Sequence, residues 1–220
     1  MDWTALRLTL QLASATTGIL LVAGLPMAYW LVVSRWRFKY LVESVITLPL
    51  VLPPTVLGFY VLTTAGPNGV LGKITEQLFG SQLPFTFTGI LFASVLFNLP
   101  FAVRPFMASF AGVDRALVEA SWCLGESRWR TFVRVTLPLC RDGVLAGAVL
   151  TFAHAVGEFG VVLMVGGNIP GVTRTLSIAI YDDVQALDYA AAGRSSLFLV
   201  AFSLLALSLA HTLSRRRTAR

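Results

Sequence analysis

The sequence predicts an all-α integral membrane protein with about five membrane-crossing helices and one helical loop on the cytoplasmic side. Three observations predict it. Hydrophobic residues make up 56% of the 220-residue chain and charged residues 13%, against roughly 45–50% and 25% in soluble domains, and mean hydropathy is +0.75. The charges bound five apolar stretches of the length a bilayer demands, about 20 residues each. The Lys and Arg residues also fall unequally on the two sides of those stretches. Such a composition excludes a disordered chain, a basic nucleic-acid-binding domain and most soluble enzymes. The net charge of +6 therefore marks the cytoplasmic side of a membrane protein, and no nucleic acid is implied.

The first span, residues 10–33, lies between Arg7 and Arg35. It is longer than the roughly 7–15-residue core of a cleaved signal peptide and reads as a retained helix. The second, residues 41–64, carries Pro49, Pro53 and Pro54. Proline removes a backbone donor, so this span must kink or break. At membrane depth such a break is tolerated only where protein or a water-filled cavity covers the freed carbonyls. The third span, residues 86–104, holds Asn98 and Pro100 near its inner end. The fourth, residues 143–165, continues past Glu158, the one charge within an apolar stretch rather than at its edge. The fifth covers residues 195–214. The external segment Gly166–Arg194 is too short and too polar for another span. Its apolar middle, Thr173–Ile180, lies on the surface or dips in.

Five spans put the termini on opposite sides. Of the 17 Lys and Arg residues, 13 fall on one side: Arg35, Arg37 and Lys39, six between Arg104 and Arg141, and Arg215, Arg216, Arg217 and Arg220. This places the N-terminus outside and the C-terminus in the cytoplasm. The two cysteines, Cys123 and Cys140, imply no disulfide framework and sit near the reducing side.

The longest cytoplasmic loop, residues 112–138, has its own pattern. Val113, Leu117, Ala120 and Leu124 recur on one helical face, and Gly125 is a fitting stop. A second short pattern, Trp129, Phe132 and Val133, ends at Pro138. The apolar faces must pack on the spans, rest on the membrane surface or meet a partner.

Glu119-Ala120-Ser121, then Gly125, then Val135-Thr136-Leu137-Pro138 resembles the EAA loop of ABC importer permeases, with the family's spacings of three and nine residues. Ser121 and Val135 depart from the usual Ala and Ile. The resemblance implies a type I ABC importer permease fold over residues 1–220 and a coupling helix that docks on a cytoplasmic ABC ATPase. Glu119, Ala120, Ser121, Gly125, Leu137 and Pro138 are the coupling positions it implies. The run Leu48–Pro54, the segment Gly157-Glu158-Phe159-Gly160 and the run Asn168–Thr175 are similar to the molybdate branch; sulfate permeases share the first loop and a related Gly-Glu-aromatic-Gly segment. The resemblance implies a periplasmic molybdate-binding protein, a permease homodimer in the bacterial inner membrane, and transport by alternating access, with tungstate, sulfate or thiosulfate as alternative cargo. Pro49, Pro53, Pro54, Asn98, Glu158, Asn168 and Arg174 are pathway or structural candidates.

The chain lacks a phosphate-binding G-x-x-x-x-G-K-[ST] loop: Lys39 and Lys73 are the only lysines, and neither sits in one. ATP hydrolysis must then belong to another subunit. No metal or cofactor site is expected, because His154 and His211 lie in different spans and the cysteines have no ligand spacing. A membrane-embedded enzyme with His154 as base is the remaining alternative class. Glu158 could line the path, bond to a neighbouring helix or cap its own. A bare carboxylate would repel an anion, which favours a bonded, structural role. The spans carry no internal cation, so the path is expected to bind weakly, through hydroxyls, amides and helix ends. Asp182, Asp183, Asp188 and Arg174 would meet the binding protein, or are solvated loop charges.

Overall fold

The computed structural model describes residues 2–215. Arg216, Arg217 and Arg220, counted above with the cytoplasmic cations, lie outside the described residues, as do the side chains of His211 and Arg215. Among the described residues all regular structure is helical. Four helical segments, Trp3–Val33, Phe87–Ala111, Arg128–Val156 and Tyr189–Leu209, are long and apolar enough to cross a membrane, and one sharply bent helix pair adds a fifth.

Helix α1 (Trp3–Val33) begins where Asp2 accepts hydrogen bonds from the Thr4 and Ala5 amides at 2.9 and 3.0 Å. It starts a full two turns before residue 10, because a capped helix does not stop at Arg7, which is exposed. The proline-rich span is broken as its composition demands. Helix α2 (Lys39–Val51) and helix α3 (Pro54–Ala65) meet at 115°. Pro53 precedes the first turn of α3 and Pro54 occupies it, where a missing donor costs nothing. Pro49 is buried within α2. The short amphipathic helix α4 (Val70–Phe79) fills a stretch that the span reading left as connection.

Helix α5 (Phe87–Ala111) runs past Arg104 and Pro105, seven residues beyond the boundary at 104. An exposed Arg at a helix end costs little, and the bundle around Phe106 and Phe110 supplies the packing. The 112–138 loop folds as α6 (Arg115–Cys123) and α7 (Arg128–Thr131). Pro138 was expected to end the second pattern, and it does not. A π-helical turn, Phe132–Thr136, leads directly into α8 (Leu137–Val156). Pro138 has no N–H to give the Arg134 carbonyl, and the wider turn absorbs that loss, with the Leu137 amide reaching back to Phe132 O.

The fourth span is also not continuous. Helix α8 stops at Val156, Gly157–Phe159 forms a break, and α9 (Gly160–Gly166) follows. Helix α10 (Leu176–Gln185) lies along α1 and α11 with Leu176, Ile178 and Ala179 buried. Helix α11 (Tyr189–Arg215) opens where Asp188 accepts from the Ala191 amide at 3.0 Å, earlier than residue 195.

Helices α1 and α5 form the centre. At one end Leu20, Leu31, Ile46, Phe106, Phe110, Cys140 and Val144 close a core between α1, α2, α5 and α8. At the other, Leu8, Leu12, Ile90, Val162 and Ile178 join α1, α5, α9 and α10. Between helices in lipid the gain is dispersion and close fit rather than water exclusion. The two breaks lean on each other accordingly. A Cβ on Gly58 of α3 would sit 2.7 Å from Met164 Cβ of α9, and one on Gly160 would sit 3.1 Å from Pro54 Cβ. Tyr29 of α1 packs on Phe132 at 4.7 Å, which sets the α6–α7 region at the C-terminal end of α1. Thr9 Oγ1 accepts from the Leu176 amide at 2.8 Å, which sets the 166–175 loop at the opposite end.

Candidate functional site

Three groups of residues stand out from the helical frame. The first is the turn between α6 and α7. Asp114 caps α6 by accepting from the Ala116 amide. The helix ends at Gly125, whose φ of +82° only glycine adopts without strain. Its amide bonds to Trp122 O and the Glu126 amide to Ser121 O, so the turn closes on itself. Ser127 then caps α7. Ser121 Oγ and Thr131 Oγ1 pair at 3.0 Å, both buried, and Glu126 binds Arg134 at 3.0 Å. Ser121 therefore faces the rod that continues into α8, not outward. Glu119, Ala120 and Leu117 are on the exposed side, and Leu124 is 85% and Trp129 72% exposed. Val113 and Phe132 are the apolar residues of this loop that do pack on the bundle. Leu137 and Pro138 lie beyond the turn, at the start of α8.

The second group is a buried polar chain at the α8–α9 break. Glu158 is 4% exposed. Its Oε2 accepts from Ser94 Oγ at 2.7 Å and from Asn98 Nδ2 at 2.8 Å. Thr16 of α1 donates to Ser94 Oγ at 3.1 Å. The Asn98 amide nitrogen also donates to Ser94 O at 2.9 Å. Its Oδ1 faces His154 Nδ1 at 2.9 Å, and because the amide oxygen can only accept, His154 carries its proton on Nδ1. The imidazole stacks on Phe101 with ring centroids 3.6 Å apart. Asn98 and Glu158, far apart in sequence, are thus brought together, and His154 joins them. Its Nδ1–H donates to the amide oxygen, which orients the ring and leaves Nε2 as its basic nitrogen. Thr16 and Ser94 escaped the sequence reading. The signal was there for Ser94, which lies one turn before Asn98 on the same face of an apolar helix.

The third group is the 166–175 loop. Thr173 Oγ1 donates to Gly166 O at 2.7 Å and accepts from the Ile169 amide at 3.1 Å. Asp182 Oδ2 receives both Asn168 Nδ2 at 2.7 Å and Arg174 Nη2 at 2.9 Å. Asn168 and Arg174 are therefore neighbours through one carboxylate and are bonded into neither of the other groups. Asp188 is occupied as the cap of α11. Among the described residues no group of His, Cys, Asp and Glu could hold a metal.

A family model described as the binding-protein-dependent transport system inner membrane component matches residues 20–219. The chain belongs to this family of transport components. It is 50% identical over 206 residues to the molybdenum transport system permease protein ModB of Azotobacter vinelandii, covering 94% of this chain and 91% of that protein. It is 35% identical to the ModB protein of Escherichia coli K12, covering 97% and 94%. A probable sulfate transport permease of Chlorella vulgaris is 32% identical, covering 91% and 76%. Among solved structures, an inward-facing MetNI methionine ABC transporter matches with TM-score 0.74 at 18% identity, covering 97% of this chain and 94% of that one. A bacterial alginate ABC transporter matches with TM-score 0.73 at 21% identity, covering 97% and 78%. The type I ABC importer permease fold expected from the EAA-like loop is the fold observed.

Replacing Ser121 with Val leaves the buried Thr131 hydroxyl unpaired, at a cost of about 1–2 kcal/mol. Limited tryptic cleavage at Arg128 and Arg130 should then become several-fold faster, while cleavage elsewhere stays constant.

Proposed function

We propose that this chain is the membrane subunit of an ATP-driven molybdate importer in the bacterial inner membrane. The observation that carries the transport reading is the α6–Gly125–α7 turn. It is ordered by its own caps and internal bonds, yet it presents Leu117, Trp122, Leu124 and Trp129 outward. Exposed apolar side chains on a rigid turn are what a partner surface needs. A cytoplasmic ABC ATPase is the partner that the family supplies. The likeness to molybdenum permeases over nearly the full length supports molybdate as cargo.

In this mechanism two copies of the chain surround one path. The broken second span and spans three and four form its wall, where α3, α5 and α9 already meet around Val61, Ala93, Val161 and Val165. Closure of two ATPase subunits on ATP draws the two 112–138 loops together and opens the path outward, and hydrolysis resets it. A periplasmic molybdate-binding protein delivers the anion to the face that carries Asn168, Arg174 and Asp182. The path itself binds weakly, through hydroxyls, amides and helix ends, so that the anion can leave. The sulfate permease relative favours sulfate as the second reading.

Uptake into cells lacking their own importer, supplied with this chain, its ATPase and its binding protein, tests the cargo. Tungstate should compete with labelled molybdate, and excess sulfate should not; equal competition by sulfate supports the second reading. Gly125→Val places a Cβ at positive φ with open space around it, so its cost is strain in the turn of about 1–2 kcal/mol. Uptake should fall about tenfold with the chain still in the membrane, and unchanged uptake removes Gly125 from docking. Sidedness has its own measurement. Cys123 is exposed and Cys140 buried, so an impermeant maleimide should label Cys123 in inside-out vesicles and not in intact spheroplasts.

A further inference from the structure

We propose that Glu158 is a positioning residue for transport. It pins the far end of the 128–156 rod to α5, so that movement of the ATPase-facing turn is delivered to the break at Gly157–Phe159. The inference rests on the transport reading above. It starts from the direction of the hydrogen bonds. Thr16 donates to Ser94, Ser94 and Asn98 donate to Glu158 Oε2, and His154 donates to Asn98 Oδ1. Each donor in the chain points toward the one carboxylate oxygen. Such aligned bonds polarise and strengthen one another in a low-dielectric interior, and the accepting oxygen at their end cannot be replaced by an apolar group without orphaning buried donors.

The placement gives this node its consequence. Ser94, Asn98 and Phe101 lie on one face of α5. They hold both the last turn of α8, through His154, and the first residues beyond it, through Glu158. At its other end the same rod is tied to α6 by Ser121–Thr131 and Glu126–Arg134. The two ties lie within one unbroken helical segment, Arg128–Val156, and Thr131 and His154 are roughly 35 Å apart along it at 1.5 Å per residue. Beyond the break, α9 packs against α3 at Gly58. A displacement entering at α6 therefore meets a stiff element fixed at both ends, and the exit lies where the two broken spans touch. Contiguity alone does not establish energetic coupling, so the decisive measurement is a coupling ratio.

The complex of this chain with its ATPase, in proteoliposomes with the binding protein, is assayed for molybdate taken up per ATP hydrolysed. Glu158→Gln keeps an acceptor oxygen for Ser94 and Asn98, and its ratio should stay near wild type. Glu158→Leu keeps the bulk and removes the acceptor. Its ratio should fall about tenfold, while hydrolysis stimulated by the binding protein persists. Asn98→Asp sets two carboxyl groups against each other and should lower the ratio similarly, and adding Glu158→Gln to Asn98→Asp should restore it. The exchange keeps the proposal testable if Glu158→Leu does not assemble. An unchanged ratio in Glu158→Leu, an equal loss of hydrolysis and uptake in it, or a double variant no better than Asn98→Asp overturns the proposal. A wild-type complex that carries sulfate instead of molybdate corrects the cargo, and the same ratio read with sulfate still tests Glu158.

Discussion

A backbone that crosses lipid must satisfy its own hydrogen bonds, and this chain interrupts that ladder at two places, Leu52–Pro53 and Gly157–Phe159. The bundle supports the two interruptions unequally. Helices α3 and α9 lie against each other at the contact of Gly58 with Met164, while Val51, Pro53 and Gly157 stay exposed. Helices α1 and α5, both unbroken, frame the irregular pair. Polar side chains finish the task at the second break, where an acid from the break itself accepts donors from α5. The energy of each bond is modest; what matters is that a helix end left open in hydrocarbon would cost several kcal/mol per group.

The two breaks were not equally legible in the sequence, and the difference is physical. The break between α2 and α3 is written in the prolines, which act locally whatever surrounds them. The break after Val156 has no proline. Gly157, Phe159 and Gly160 permit it, but the apolar run continues to Val165, and length alone reads as one span. What ends the helix is a tertiary demand: Glu158 is held by Ser94 and Asn98, sixty or more positions earlier. Single-chain periodicity carries no information about such a partner. The same blindness explains α5, which continues past Arg104 because Phe106 and Phe110 have a core to enter.

The α6–α7 turn was legible in its residues and only partly in its facing. The spacing from Glu119 to Pro138 marks the loop, and Gly125 marks the stop, because a positive φ has few other occupants. The pattern Leu117, Ala120, Leu124 was visible as a stripe. Whether that stripe faced bundle, bilayer or partner depended on Ser121, whose small hydroxyl turns the opposite side of α6 to Thr131. The clustering of cations between Arg104 and Arg141 belongs to this same region.

The π-helical turn at Phe132–Thr136 has a consequence for how this surface can vary. One additional residue in a helical turn rotates everything beyond it by about 100°. The stripe that α7 shows to the turn and the stripe that α8 shows to α5 are therefore out of phase, although one continuous backbone joins them. A single periodic pattern would have tied the two faces, so that a change suited to a soluble partner fell on the bundle side at the next repeat. With the phase broken, the half of the rod near Trp129 can be rewritten without disturbing Cys140, Val144 and Thr151, which stay buried inside.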